Sequence, residues 1–146
     1  MIFQKLNAND AEKIFMLFMN VQGATLSAGT VVRLDTSTAD GVRVSQPTTA
    51  TFSLMVGVTN DAVSDSGMVK VQVYGYRSSA YVINDQTTAI AAGDLLIPVN
   101  GQNYLARGAA GNGAVIGGSN MIVALEAFAT ATTPAAATKK VFIRCM

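Results

Sequence analysis

Short apolar segments separated by turn-forming residues recur along the whole chain. The most regular is residues 68–76, in which valines at every second position alternate with more polar side chains, among them Lys70 and Gln72. Such alternation is typical of a β-strand with one face in the core and the other in solvent. Other apolar segments predict further strands at 31–35, 42–45, 52–59, 81–84, 103–107, 121–128 and 139–145. The hydrophobic pattern therefore predicts an all-β protein.

One segment of the pattern occurs twice, as residues 18–32 and residues 82–96. Four positions are identical in the two copies, each pair 64 residues apart: Asn20 and Asn84, Gln22 and Gln86, Ala28 and Ala92, Gly29 and Gly93. The same order of strands follows each copy, and self-similarity at a fixed offset indicates a repeated structural unit. We therefore predict two similar five-strand half-units, 12–75 and 76–146. Because neither is long enough to bury a good core alone, we expect one compact β-barrel or β-sandwich domain.

The segment EKIFMLFMNV, residues 12–21, is compatible with two structures. Asn9 followed by Glu12 resembles a helix capping box, and the apolar residues after it can form a helical stripe. Against a helix, the segment is short and apolar on every face, and its counterpart in the second half, SSAYVIND, favours a strand. We expect a buried strand here, and an interruption after residue 76 before the second half begins.

The small pairs Ala28-Gly29 and Ala92-Gly93 each precede an apolar strand. Such a pair suits a tight turn in which the glycine takes a positive φ angle. Two longer segments, 108–119 and 129–138, are rich in glycine or in alanine and threonine, and we expect both to be loops.

Charged residues make up only 13% of the chain, about half the usual fraction. The ten basic and nine acidic residues form no run of either sign. We expect neither a nucleic-acid nor a membrane partner, because there is no basic stripe and no apolar run of membrane-spanning length. No signal-peptide pattern is present, so we expect folding in a cytosol. So few charges indicate either burial against other subunits or a surface of uncharged polar residues.

The chain lacks the residues that most enzymes and metal sites use. It contains no histidine, so neither a Ser-His or Cys-His nucleophile pair nor an imidazole ligand can form. A single cysteine, Cys145, can form neither an internal disulfide nor a thiolate zinc site, and we expect it to be a small buried hydrophobic side chain. The composition therefore predicts no enzyme activity, no metal and no cofactor.

The carboxylates give only weak signals. Glu12 and Glu126 are the only glutamates, and they form a carboxylate pair only if the fold brings them together. Glu126 lies in an otherwise apolar segment, and we expect it to pair with an arginine. The acidic turns at 35–40 and 61–65 lack the bidentate glutamate of a calcium loop, so turn formation is their expected role. The glycine-rich segment 108–118 lacks the spacing of a nucleotide-binding loop.

The first eleven residues are predicted to form an N-terminal arm. Ile2, Phe3 and Leu6 stand among polar residues with no strong periodicity. Because exposed side chains of this size are unfavourable in water, we expect the arm to dock on a partner through them. A disordered terminus is the alternative.

Five segments together form a characteristic series of turns and strands. An Ala-Gly-x-hydrophobic turn leads into a strand in GATLSAGTVVRLD (23–35), and a Val-x-Val strand follows a Gly-Val strand end in VGVTNDAVSDSGMVKVQVYGYRS (56–78). A second turn in AIAAGDLLIPVNG (89–101) precedes IVALEAFATA (122–131) and a final strand in KKVFIRC (139–145). This series resembles the small capsid cement, or head decoration, proteins of tailed bacteriophages, over roughly residues 21–146.

The resemblance implies a β-barrel or β-sandwich that assembles as a homotrimer on the outer surface of the expanded phage head. There it would clamp neighbouring subunits of the major capsid protein. The implied location is the virion, after synthesis in the host cytoplasm. Members of that family usually begin closer to their first strand, so the arm is a departure, and we expect it to reach a neighbouring capsid subunit.

Other functions remain open on the residues alone. One is a phage tail or baseplate β-module, and another is a carbohydrate-binding β-domain. A glycan site usually needs exposed aromatic rings, and because tryptophan is absent the candidates are Tyr74, Tyr76, Tyr81 and Tyr104. A hydrolase is disfavoured because no catalytic set is recognisable.

Overall fold

The computed structural model describes residues 12–38, 40–48, 53–84, 86–108 and 121–145. These ranges consist mainly of β-strands, which confirms the all-β prediction, and they contain no helix long and apolar enough to cross a membrane. The strands are β1 (Lys13–Asn20), β2 (Val31–Leu34), β3 (Arg43–Ser45), β4 (Met55–Thr59), β5 (Met68–Ile83), β6 (Leu95–Pro98), β7 (Leu105–Arg107), β8 (Met121–Ala124) and β9 (Ala136–Arg144). The predicted arm, with Ile2, Phe3 and Leu6, lies outside the described residues.

The strands form two closed rings of hydrogen-bonded neighbours that share β5. In the first ring the order is β1-β3-β2-β4-β5, and β5 pairs back with β1. In the second the order is β5-β7-β6-β8-β9, and β9 pairs back with β5. Because each ring closes on itself, the fold is a pair of small five-stranded barrels joined along one long strand.

The two rings repeat the same pairings. We call β1 to the first half of β5 the first repeat, and the second half of β5 to β9 the second repeat. β1 pairs in parallel with β3, as the second half of β5 does with β7. In the pairing of β2 with β4, Val31 lies opposite Val58, and in that of β6 with β8, Leu95 lies opposite Val123. The segment that recurs in the sequence therefore belongs to a repeated five-strand unit.

The interruption predicted after residue 76 is absent, because β5 runs unbroken from Met68 to Ile83. The polar residues at that point are accommodated by a bulge, since the register of β5 against β9 shifts between Arg77 and Ala80. A bulge adds one residue to a strand and redirects its side chains without ending it. The Arg77 side chain lies within the protein, and the residue is only 7% exposed.

Gln72 departs from the predicted alternation of β5. The pattern places it on the solvent face, but it is buried, and its Nε2 donates to the carbonyl groups of Tyr74 and Tyr76. Val71 and Val73 on either side are buried as predicted. Its amide is enclosed by these backbone groups and by the Arg77 guanidinium, which lies 3.5 Å from the Gln72 Oε1.

The segment 12–21 forms the strand β1, so the strand prediction is confirmed there. Its predicted burial is wrong for most of its length. Phe18 and Asn20 are buried, whereas Phe15–Leu17 are exposed. The reason is that β3 pairs only with the last two residues of β1, so the described chain provides no strand beside the earlier residues on that edge.

Two apolar clusters fill the barrels. The first contains only first-repeat residues: Phe18, Leu26, Val32, Val44, Val56, Val69, Val71 and Val73. The second combines residues of the second repeat with Val31, Met55 and Val58 of the first. The β2–β4 pair is therefore buried on both faces, one towards its own barrel and the other towards the second barrel.

The turns agree with the prediction better than the strand boundaries do. Gly29 and Gly93 take φ angles of 82° and 97°, as the Ala-Gly pairs predict. β8 ends at Ala124 instead of 128, and β9 begins at Ala136, inside the predicted loop 129–138. The start of β9 is fixed by its partner, since Ala136 pairs with Ile83 of β5, and not by its own weak strand propensity.

Candidate functional site

The two glutamates do not form a catalytic pair. Glu126 lies on a bend after β8, and its Oε1 accepts a hydrogen bond of 3.0 Å from the backbone N–H of Lys140. Its Oε2 lies 3.9 Å from the Lys140 ammonium, so the expected pairing with an arginine is wrong. The pairing of β8 with β9 places this lysine next to the bend. Glu12 precedes β1, in the other repeat.

The acidic turns have the structural role that the sequence predicts. Asp35 Oδ1 accepts a 2.8 Å hydrogen bond from the N–H of Ser37, and Asp65 Oδ1 accepts one of the same length from the N–H of Gly23. The hydrogen bonds from Ser37 hold the pKa of Asp35 below its usual value. Within the described ranges, no group of three or more histidine, cysteine or acidic side chains is arranged to hold a metal ion.

Cys145 follows β9 and packs against the second cluster. Burial raises the pKa of its thiol to about 12. A thiol with so high a pKa stays protonated near neutral pH and is a poor nucleophile. The environment of Cys145 thus agrees with the predicted role of a small buried hydrophobic side chain.

Four large apolar side chains are exposed together on β1 and the start of β5. Phe15, Met16, Leu17 and Met68 are between 38% and 59% exposed, and we call them the β1 surface. The antiparallel register of β1 and β5 places Phe15, Leu17 and Met68 on the outer face of this pair of strands, where the Lys70 ammonium lies 5.7 Å from the centre of the Phe15 ring. Met16 lies on the opposite face, with Phe18. Exposed apolar side chains clustered at one strand mark an interaction site.

The edge of the equivalent strand segment in the second repeat is covered. Tyr81 corresponds to Leu17, and its backbone N–H donates a 2.9 Å hydrogen bond to the carbonyl of Gly29 in the first repeat. Ala80 corresponds to Met16 and is completely buried, whereas Met16 is 48% exposed. The first repeat thus covers the edge of this segment and Ala80, while the Ser79 and Tyr81 side chains stay exposed. No described residue covers the equivalent edge of β1 at Leu17.

A second uncovered apolar surface lies on the outward side of β6 and β8. It consists of Leu95, Met121 and Val123, and we call it the β6–β8 face. Leu95 and Val123 are partly exposed and Met121 is 37% exposed. By contrast, Val31 and Val58, the counterparts of Leu95 and Val123, are at most 1% exposed because the second barrel covers them.

A groove of about 420 Å³ lies beside the second barrel, and its lining includes Asn84, Tyr104 and Arg107. Two of these polar groups are already engaged. The Asn84 amide donates to the carbonyl of Ala129, and Arg107 Nε lies 2.7 Å from Asp94 Oδ2. Of the four tyrosines considered for a glycan site, Tyr104 is the one in the groove.

A buried arginine connects the two repeats. Arg77 Nη2 donates a 2.8 Å hydrogen bond to the carbonyl of Thr59, and its Nε donates one of 2.9 Å to the carbonyl of Ser79. Its Nη1 lies 3.5 Å from Gln72 Oε1. Burial lowers the pKa of the guanidinium group. Since Arg77 bonds mainly to backbone carbonyls of both repeats, its role is structural.

Neither apolar surface follows from the hydrophobic pattern, because the pattern assigns every such residue to the core. The signal that identifies the β1 surface is a difference between the two copies. Phe15–Leu17 are all apolar and large, whereas the equivalent 79–81 are serine, alanine and tyrosine. A position that is large and apolar in only one copy is not required by the fold that both copies share.

Comparison with known proteins identifies no family for this chain, because no family model matches it and no curated protein matches it significantly. Its function is therefore argued from its motifs and from the surfaces described above.

Proposed function

We propose that this protein is a structural protein of a tailed-bacteriophage virion. In this proposal it is a capsid cement protein that binds the outside of the expanded head as a homotrimer and stabilises contacts between major capsid subunits. It is made in the host cytoplasm, resides on the outer capsid surface, and carries out no catalysis.

The observation that carries the proposal is the pair of uncovered apolar surfaces. Met16 of the β1 surface, and Leu95 and Val123 of the β6–β8 face, are at least partly exposed, whereas their counterparts Ala80, Val31 and Val58 in the other repeat are buried. Covering them with another protein removes apolar area from water, which contributes about 25 cal/mol per Å². A fold that leaves two apolar surfaces uncovered is suited to assembly with other protein chains.

The resemblance of the turn and strand motifs to cement proteins supports a phage head in particular. The segments that carry it, 23–35, 56–78, 89–101, 122–131 and 139–145, contain both Ala-Gly turns and all or part of the strands β2, β4, β5, β6, β8 and β9. A clamp between capsid subunits needs complementary surfaces and main-chain pairing more than reactive side chains.

We assign the contact with the capsid to the arm, residues 1–11, through Ile2, Phe3 and Leu6. The arm leads into β1, so copies that associate through their barrels would present several arms to one lattice. Several linked contacts retain a protein far more strongly than one contact of the same affinity.

Co-sedimentation with expanded, undecorated heads of the cognate phage tests the proposal. We expect saturable binding at a fixed copy number per capsid subunit. Replacing Ile2, Phe3 and Leu6 by serine should weaken it, whereas replacing the polar arm residues Asn7 and Asn9 by serine should not. The proposal is overturned if the protein stays in the supernatant with heads, and sedimentation with purified tails instead would establish the tail-module alternative.

A carbohydrate-binding β-domain is the second candidate, and the groove at Tyr104 is the observation that favours it. On this alternative, a glycan array gives reproducible binding that Tyr104→Ala abolishes. Tyr76→Ala, which lies outside the groove lining, is the matched control. The head-binding assay distinguishes the two candidates, because Tyr104→Ala should leave binding to the capsid unchanged.

A further inference from the structure

The two repeats of one chain meet in a joint that uses a different surface from each. The first repeat contributes the Ala28-Gly29 turn, and the second contributes residues 79–81 of β5. The Tyr81 N–H donates to the Gly29 carbonyl over 2.9 Å. The approach is so close that a β-carbon at position 29 would lie 3.0 Å from the carbonyl oxygen of Ser79. The turn is therefore seated on the free edge of the strand.

An apolar contact lies beside this hydrogen bond. Val31 and Val58, on the outer face of the β2–β4 pair, belong to the same buried cluster as Ala80 and Val82 of the second repeat. All four are at most 1% exposed. The joint thus combines one main-chain hydrogen bond at the strand edge with burial of a whole sheet face.

The second repeat has its own copy of this turn, Ala92-Gly93, but no described strand edge pairs with it. The N–H of Gly93 donates to the carbonyl of Ala124 at 2.8 Å, as the N–H of Gly29 donates to the carbonyl of Thr59 at 2.9 Å. The Gly93 carbonyl, however, accepts no backbone hydrogen bond from the described part of the chain. A β-carbon at position 93 would meet no atom within 4 Å. The β6–β8 face, equivalent to the buried outer face of β2–β4, lies on the next strands and is uncovered.

The strand half of the joint is also present a second time, on β1. On the edge of β1 away from β5, the N–H groups of Met19 and Val21 donate to the carbonyls of Val42 and Val44. The next N–H on that edge belongs to Leu17, and no acceptor for it occurs among the described residues. Leu17 is the counterpart of Tyr81, whose N–H donates to Gly29.

We propose that copies of this chain join head to tail by the same joint, with the Ala92-Gly93 turn and β6–β8 face of one copy covering the open edge of β1 and the Met16 side chain of the next. In this contact the Leu17 N–H donates to the Gly93 carbonyl of the other copy. This inference rests on the proposed function only for the expectation that copies self-associate. What it adds is which two surfaces of the chain meet. The same contact would then connect one repeat to the next both within a copy and between copies.

The chemistry of the two surfaces is compatible with their burial. Met16 and the β6–β8 face are apolar, and an open strand edge readily pairs with backbone groups of another chain. The one carboxylate at the turn, Asp94, is already held by Arg107 and by the N–H of Ala91. The turn therefore brings no unpaired charge into the contact.

The contact joins two different surfaces, so it is heterologous, and such contacts close into rings or extend into open chains. A closed ring leaves neither the open edge of β1 with Met16 nor the β6–β8 face exposed. In a ring of three, which the proposed homotrimer requires, the same joint would connect six repeats. The first strand segment of every repeat would then be covered at its edge by an Ala-Gly turn, as only residues 79–81 are within a single chain.

Gly93→Ala tests the joint in the full-length chain. The new methyl group has room in a single copy but would press against the neighbouring β1 segment, as a β-carbon at position 29 would against Ser79. Gly23→Ala is the matched control, because Gly23 also has a positive φ, 76°, and open space around it. Sedimentation velocity should show wild type and Gly23→Ala as closed assemblies, with association of Gly93→Ala weakened roughly tenfold or more.

Mixed cross-linking identifies the two surfaces directly. In a Cys145→Ala background, a Leu17→Cys copy and an Ala92→Cys copy are mixed with a short bis-maleimide. The expected product contains one copy of each, whereas neither variant alone should cross-link to itself. Thr133→Cys, on the exposed connection before β9, replaces Ala92→Cys as the control and should give no product.

The joint is overturned by a wild-type protein that is monomeric at every concentration, or by Leu17→Cys copies that cross-link to one another. Unchanged association of Gly93→Ala also overturns it. Head binding is measured separately on the same samples. If a monomer binds heads saturably, the joint fails and the proposed function stands. If the mixed cross-link forms but no sample binds heads, the joint stands and the proposed function fails.

Discussion

The side-chain nitrogen of Asn20 donates to the carbonyl of Ser64, and that of Asn84 donates to the carbonyl of Ala129, in both cases over 3.1 Å. The two asparagines are equivalent in the repeat and both are buried. Asn20 thus links the end of β1 to the segment after β4, and Asn84 links the end of β5 to the segment after β8. The identity of these residues in the sequence therefore reflects a structural requirement, the pairing of buried backbone groups.

Replacing each asparagine by alanine should destabilise the fold unequally. The Asn20 amide also donates to the carbonyls of Ala24 and Val63, and its oxygen accepts from the N–H of Gln22, so its removal leaves more groups unpaired. We expect Asn20→Ala to lower the free energy of unfolding by about 2–3 kcal/mol and Asn84→Ala by about 1–2 kcal/mol.

Urea denaturation measures both losses, with Gln102→Ala, an exposed residue, as the control. Losses below about 0.5 kcal/mol for both asparagines would contradict the role assigned to them, since surface substitutions alone have effects of that size.

Gly75→Ala should prevent stable folding. A β-carbon at position 75 would overlap the carbonyl oxygen of Glu12, where β1 pairs closely with β5. Its φ of 100° is also unfavourable for alanine. Gly23→Ala shares a positive φ without the overlap, so it should cost only about 1–2 kcal/mol. Thermal unfolding followed by circular dichroism distinguishes the two. A similar melting temperature for both variants would show that β1 does not lie this close to β5.

Arg77→Met should destabilise the protein by about 2–4 kcal/mol, because it leaves the carbonyl of Ser79 without its side-chain donor and removes one of the two donors to the carbonyl of Thr59. Arg77→Lys should recover only part of this loss, since an ammonium group cannot reproduce the fork of the guanidinium. Arg144→Met, at an exposed position on β9, is the control. If Arg77→Met and Arg144→Met unfold at the same denaturant concentration, Arg77 does not connect the repeats.

Cys145 should be unreactive in the folded protein. Burial raises the pKa of its thiol from 9.0 to about 12, so almost no thiolate is present near neutral pH. A raised folded-state pKa contributes stability that is complete below pH 9.0 and is lost as the pH rises towards about 12. Thiolate absorbance during a pH titration should therefore appear only in strongly alkaline solution, and urea should make the thiol reactive at once. An apparent pKa near 9.0 in the folded protein would contradict the burial of Cys145.

Much of the fold could be predicted from the sequence, because strand alternation and the repeat are local or periodic signals. The alternating valines of β5 and the turn glycines Gly29 and Gly93 agree with the structure. Gln72 and Arg77 could not be placed, since their burial depends on the bulge in β5 and on the contact of Arg77 with Gln72 and with the Thr59 carbonyl of β4. Neither effect is visible in the alternation of neighbouring residues.

The candidate surfaces could be predicted only in part. The apolar residues of β1 are evident in the sequence, but hydrophobicity does not show whether the same chain or another chain covers them. Comparing the copies resolves this, because Met16 is large and exposed where Ala80 is small and buried. The arm residues Ile2, Phe3 and Leu6 lie outside the described residues, so their docking stays a prediction.

Heat-induced release of DNA from phage heads tests the proposed cement function most directly. DNA-filled heads that lack the protein are heated with and without saturating wild-type protein, and DNA release is followed by the fluorescence of an intercalating dye. We expect the bound protein to raise the release temperature by several degrees, and the Gly93→Ala variant to raise it less because its copies associate more weakly. Saturating binding with no change in the release temperature would contradict a cement function.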